Sequence, residues 1–198
     1  MKENVIDTIR VFNKSHKSRR TEAAFRDHIA TSLGAEFVDA QVRPTASYSL
    51  IPIDSLQVRD WLERDSLLPS GAKHRCLKSL QSLPKEVFIA NRLSDISYDF
   101  RIESPGWDIF VEFHEAQHRQ LSDRRPKPVY DDSGRTLYVP RGLQRLLRDL
   151  WRIQVSQNLV IVWSDWFEAN RDSFELTLAG GFQEYGLTDR FSFTQFCS

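Results

Sequence analysis

Two runs near the middle of the chain alternate apolar and polar residues with period two. In residues 97–103, Tyr98, Phe100 and Ile102 fall on one face and Ser97, Asp99 and Arg101 on the other. In residues 107–114, Ile109, Val111 and Phe113 share one face while Asp108, Phe110, Glu112 and His114 share the opposite one. With Ser104-Pro105-Gly106 between them, these runs predict an antiparallel hairpin. A turn centred near residues 105–106 sets Asp99 opposite Glu112, so Asp99, Glu112 and His114 are expected on one face.

Elsewhere the apolar spacing is helical. Val5, Ile6, Ile9 and Phe12 predict a short amphipathic helix over 2–13. Thr21 is a suitable N-cap for a second helix over 21–33, with Phe25, Ile29 and Leu33 inward and Gly34 as its stop. Residues 36–42 read as a strand. Pro44, Pro52, Pro69 and Pro84 break up 43–96, where 54–64 and 73–83 look helical and 87–90 suits a short strand; the stretch reads as an inserted helical lobe. Pro140 opens a helix to about residue 154 with Leu143, Leu146, Leu147 and Leu150 inward, and the almost purely apolar 158–163 fits a strand inside a sheet. The sum is one α/β domain over 1–198, a central mixed β-sheet flanked by helices.

Composition adds exclusions. The chain has 198 residues, 40% of them hydrophobic, with 27 Lys+Arg against 27 Asp+Glu, which suits a folded globular protein. Cys76 and Cys197 are too few and too far apart for a disulfide framework or structural zinc site. The N-terminus lacks the apolar stretch of a secretory signal, and no apolar run is long enough for a membrane span, so a cytoplasmic protein is expected. The neutral total hides a gradient: residues 154–198 hold two basic and six acidic residues, and the rest hold the other 25 and 21. Arg141, Arg145, Arg148 and Arg152 recur at helical steps as a stripe, and Arg124, Arg125 and Lys127 stand in a polar loop before it. Such clusters on a neutral chain fit a nucleic-acid surface; the alternative is a solvated face, with Asp149 neutralising part of the stripe.

Two constellations could carry chemistry. His114-Glu115-Ala116-Gln117-His118 matches the HExxH pattern, which would bind Zn²⁺ if both histidines sat one turn apart on a helix. The period-two run leading into it argues for a strand. The hairpin offers the second: an Asp and a Glu facing the same way on adjacent strands can hold Mg²⁺ with water and a phosphate oxygen, with His114 or His118 as proton carrier.

Glu22 in an early helix, Tyr98-Asp99-Phe100 on one strand and the run from Val111 to His118 on the next resemble the PD-(D/E)XK nucleases, nearest to the very-short-patch repair endonucleases and related restriction and homing enzymes. The resemblance covers a little under half the chain and implies an αβββαβ core: 21–33, 36–42, 97–103, 107–114, 140–154 and 158–163. It implies a Mg²⁺-dependent deoxyribonuclease (Mn²⁺ substituting) of restriction or phage-defence type, a possible homodimer, with Asp99 and Glu112 as metal ligands and Glu22 reaching the site from the helix. His118 matches the family's histidine, and His114 stands where the family has a lysine. The arginine stripe would hold phosphates. Without that lysine, an inactive DNA-binding or assembly subunit stays open, as does the zinc peptidase.

Overall fold

In a computed structural model the described residues are 8–14, 20–66, 68–115, 118, 121–176 and 180–186. The chain divides into two compact units, one drawn from residues 1–44, 97–114 and 157–186, the other from 45–96, 115–156 and 187–198. The lobe expected over 43–96 thus shares its unit with 115–156 and the helix those residues contain.

The first unit is built on a six-stranded mixed sheet. Its strands are β1 (Arg10–Asn13), β2 (Glu36–Asp39), β5 (Phe100–Ser104), β6 (Trp107–His114), β9 (Asn158–Trp163) and β10 (Gly181–Tyr185), in the order β10-β9-β6-β5-β1-β2. β5 and β6 form the expected hairpin, with Phe100 opposite Val111 and Ile102 opposite Ile109. β9 runs parallel to β6, and β10 parallel to β9. Two helices of this unit, α1 (Arg20–Leu33) and α5 (Ser164–Asn170), cover one sheet face. Phe25 and Ile29 of α1 and Phe167 of α5 pack with Val11, Phe100, Ile102, Val111, Phe113, Val160 and Val162. Phe25 is the hub: its ring stacks on Phe113 at 4.8 Å and meets Phe100 and Phe167 edge-on at 5.4 and 5.0 Å. Gly34, at φ +60°, ends α1 by letting Ala35 turn back onto the Ala30 carbonyl.

Two expectations are corrected here. Residues 10–13, expected to close a helix, form β1 instead, while residues 2–7 lie outside the described residues. Val11 and Asn13 point inward and Arg10 outward, which is period two, and neighbouring chain on both sides supplies the hydrogen bonds. The strand bordering β5 is therefore β1, upstream of α1. Residues 36–39 lie at the sheet's edge, parallel to β1, and only Val42 of the expected 36–42 strand reaches the Tyr98 backbone.

The second unit holds two small antiparallel pairs, β3 (Ile53–Asp54) with β4 (Glu86–Val87) and β7 (Pro126–Tyr130) with β8 (Thr136–Pro140), bridged between Phe88 and Tyr130. Its helices are α2 (Ser55–Arg64), α3 (Ser70–Gln81) and α4 (Arg141–Val155). Asp54 caps α2, accepting from the Leu56 and Gln57 N–H groups. α3 packs on β8, and α4 on β3, β7 and β8. Among the described residues no helix is long and apolar enough to cross a membrane.

Candidate functional site

The chemistry-bearing residues of the first unit gather where β1 ends and β5 begins. Asn13 lies two residues beyond Val11, on the core side of β1, and is 2% exposed. Glu22 lies three and seven residues before Phe25 and Ile29, on the stripe of α1 that faces the sheet. Packing of Phe25 thus aims Glu22 at the end of β1. There the Asn13 amide donates to Glu22 Oε1 at 3.1 Å and to the Asp99 carbonyl at 2.9 Å. A buried amide with two donors ties the first helix to the strand carrying the second carboxylate.

Asp99 occupies a bend. The β5–β6 register, extended by one residue, places it opposite Glu112 as the sequence implied, but the ladder stops at Phe100. Beyond it the Phe113 N–H donates to Asp99 Oδ2 at 2.9 Å, so a side chain substitutes for the main-chain acceptor of the next pair. The bend also breaks the alternation. Tyr98 does not share the face of Phe100 and Ile102; its ring lies 4.5 Å from that of Phe110, on the other side of the hairpin.

Glu22, Asn13 and Asp99 open onto a cavity of about 130 Å³ lined further by Lys14, Gln41, Val42, Ser97 and Tyr98. Of the residues proposed from the sequence, the structure brings Glu22 and Asp99 to this cavity; Glu112, His114 and His118 do not line it. Glu112 and His114 point to the β6 face opposite Val111 and Phe113, and each is 4% exposed. His114 packs edge-on against Trp163 at 5.1 Å. Glu112 and His114, expected on one face with Asp99, thus stand outside the lining of this cavity. Asn13, Lys14 and Tyr98 were missed; a polar residue at a core-facing position of β1 was the available signal for Asn13, hidden once that segment was read as helix.

His114 is the last residue of strand β6 and so is not on a helix, and the His118 N–H donates to the Glu115 carbonyl. One helical turn between the histidines is the geometric condition for a shared zinc ion in that motif. Among the described residues, no three of His, Cys, Asp and Glu gather as a metal-binding group. Mg²⁺ asks less of a protein, because it keeps several waters and takes one or two carboxylates beside substrate oxygens. Glu22 and Asp99, at a cavity with room for a few waters at roughly 30 Å³ each, fit that requirement.

The basic residues lie in the second unit. Arg124, Arg125 and Lys127 are exposed, and Arg141, Arg145 and Arg148 are half-buried along α4. Asp123 gathers part of this set: Arg125 grips its carboxylate with Nε and Nη2 at 3.2 and 2.9 Å, and Arg141 approaches to 3.6 Å. The hydrogen bonds from Arg125 hold the Asp123 carboxyl well below the usual carboxylate range. Burial, reinforced by the charge of Arg141, lowers the Arg145 guanidinium from its ordinary value. Arg152 departs from the expected surface stripe: it is 7% exposed and bonded to buried Asp149 at 2.7 Å.

In comparisons with known families, curated proteins and solved structures, no match to this chain was found.

Proposed function

We propose that this chain hydrolyses phosphodiester bonds of DNA with Mg²⁺, or Mn²⁺ in its place, at the cavity between β1, α1 and the start of β5. The observation that carries this reading is the convergence of Glu22 and Asp99 across the Asn13 amide, beside Lys14. In it, β1, β5, β6 and β9 with α1 serve as the restriction-endonuclease-like core, with β1 taking the place expected for 36–42.

Glu22 and Asp99 would hold the cation, which when bound supplies an acidified water and charge neutralisation at phosphorus. The chain's own residues do the rest. Asn13 donates to Glu22 Oε1 and so holds this side chain at the cavity wall. Asp99 is held by its bond from Phe113 and lines the same cavity. Lys14 contributes positive charge where phosphate oxygens would lie. Arg124, Arg125 and Lys127 provide contacts that position a polyanion without reading sequence.

The test is cleavage of plasmid and phage DNA in Mg²⁺, Mn²⁺ and Zn²⁺. Glu22→Gln and Asp99→Asn are each expected to lower the rate by about 100-fold or more, while Glu112→Gln keeps most of it. Cleavage that persists in both cavity variants would overturn the site. A second reading, a DNA-binding subunit without catalysis, draws on the placement of Glu112 away from the cavity; it expects salt-sensitive DNA binding with no cleavage in any metal.

A further inference from the structure

The β7–β8 ribbon of the second unit carries an aromatic face that the cavity chemistry does not use. Its register pairs Pro126 with Pro140, Pro128 with Tyr138 and Tyr130 with Thr136, and directly opposed residues share a face. The alternate residues Val129 and Val139 are buried, so their face is the inner one. The outer face is therefore proline, tyrosine and threonine, and at its centre Tyr138 is 69% exposed, against 37% for Phe37 and 41% for Leu56. Cations stand at both ends. Arg124 and Arg125 precede β7 and Arg141 follows β8, while Arg135 precedes β8 at the other end. The ion pairs of Arg125 with Asp123 and Arg135 with Asp131 fix these side chains yet leave them 71% and 73% exposed. Across residues 122–141, five basic residues face three acidic ones.

We propose that this ribbon binds a single-stranded DNA segment, a base stacking on Tyr138 while the flanking phosphates meet Arg125 and Arg135. Charge complementarity selects a polyanion, and an open tyrosine ring between cations is the arrangement by which unpaired bases are held. A duplex hides its base faces in the stack and offers the ring nothing. Prolines suit the platform because they present flat apolar surface and leave no N–H groups to be satisfied. The inference rests on the nucleic-acid reading above and narrows its substrate to DNA with an unpaired stretch.

The test uses the full chain in EDTA, so that no cleavage intervenes, and fluorescence anisotropy with a labelled 20-nucleotide oligothymidylate, the matching duplex and an RNA of the same length. Wild type is expected to bind the oligothymidylate at least about fivefold more tightly than the duplex. Tyr138→Ala is expected to weaken that binding about tenfold and Tyr138→Phe by less than about twofold. Arg125→Gln and Arg135→Gln each lower the salt slope by about 0.7. An oligothymidylate carrying 5-iodouracil is expected to photo-cross-link to Tyr138, mapped by mass spectrometry. Tyr138→Ala binding like wild type, tighter binding to duplex or RNA, or a cross-link elsewhere overturns the proposal while leaving the cavity chemistry standing. Absence of binding to every nucleic acid overturns both, and a ribbon that instead captures proline-rich peptide overturns this one.

Discussion

Asn13 is the joint of the candidate site, and exchanging its amide for a carboxylate of the same shape isolates what the joint does. Asn13→Asp changes no volume, so no cavity or clash contributes. It removes a donor to the Glu22 carboxylate and a donor to the Asp99 carbonyl. Near pH 4 the new carboxyl is protonated and still donates once, so the loss is about 1–2 kcal/mol, the value of one hydrogen bond. At neutral pH two carboxylates would face each other at the 3.1 Å now spanned by the amide and Glu22, a repulsion of about 5 kcal/mol at an effective dielectric near 20. The alternative is to keep the proton, costing about 1.4 kcal/mol for each pH unit above the ordinary carboxylate value near 4. The folded variant thus retains a proton that its unfolded chain has lost, and stability falls as pH rises through that interval. Relative to wild type, the deficit is expected to grow from about 1–2 kcal/mol at pH 4 to about 5–6 kcal/mol at pH 7. Urea unfolding followed by tryptophan fluorescence, both proteins side by side at each pH, reads the difference directly. A penalty that stays flat with pH, or never exceeds about 0.5 kcal/mol, would refute the bridge between Glu22 and Asp99.

Three further outcomes follow from packing. Phe25→Ala empties the centre of the ring cluster against Phe100, Phe113 and Phe167, and is expected to cost about 3–5 kcal/mol in urea unfolding. A loss under 1 kcal/mol would mean the cluster is not the hub described. Gly142 faces the Leu121 backbone so closely that an added Cβ would lie 2.8 Å from it, and Leu121 already holds φ 46°; Gly142→Ala is therefore expected to cost about 1–3 kcal/mol, read as a Tm lowered by about 3–8 °C. Burial pushes the Cys76 thiol up to about 11, so at pH 8 it is expected to resist iodoacetamide in the native chain and react once urea unfolds it. Mass spectrometry of the labelled peptides checks this.

What the sequence disclosed was local pattern, and it failed where a pattern was too short to discriminate. The hairpin was legible because eight alternating residues on one strand and a Pro-Gly turn leave a single register. α1 and α4 were legible because two or more helical turns repeat the spacing of Phe25–Ile29 and Leu143–Leu150. β1 was not. It has four residues, and Val5, Ile6, Ile9 and Phe12 extend backward from it at helical steps. Over so short a stretch Val11 and Asn13 fit either period, and the decision falls to pairing with β2 on one side and β5 on the other. Misreading β1 also misplaced 36–42 in the sheet, since only one strand can border β5 there.

The candidate site was legible to a different degree for the same reason. Glu22 and Asp99 belong to it in both readings, yet the sequence grouped Asp99 with Glu112 and His114 by assuming that period two continues through residue 99. It does not: the Asp99 carboxylate takes the Phe113 N–H that a continued ladder would have paired with Tyr98, and the backbone bends there. A carboxylate able to replace a main-chain acceptor ends a strand as well as lining one, because it satisfies the donor that a terminated ladder leaves behind. That substitution shifts the chemistry from the middle of the hairpin to its end, beside Asn13. Asp99→Asn separates the two roles. Its amide oxygen can still accept from Phe113, so the strand end should survive with stability within about 1 kcal/mol of wild type, while the negative charge needed to hold a cation is gone. Loss of cleavage together with an unchanged urea midpoint is the expected pairing. A large fall in stability would instead show that the ionised carboxylate is chiefly a structural cap.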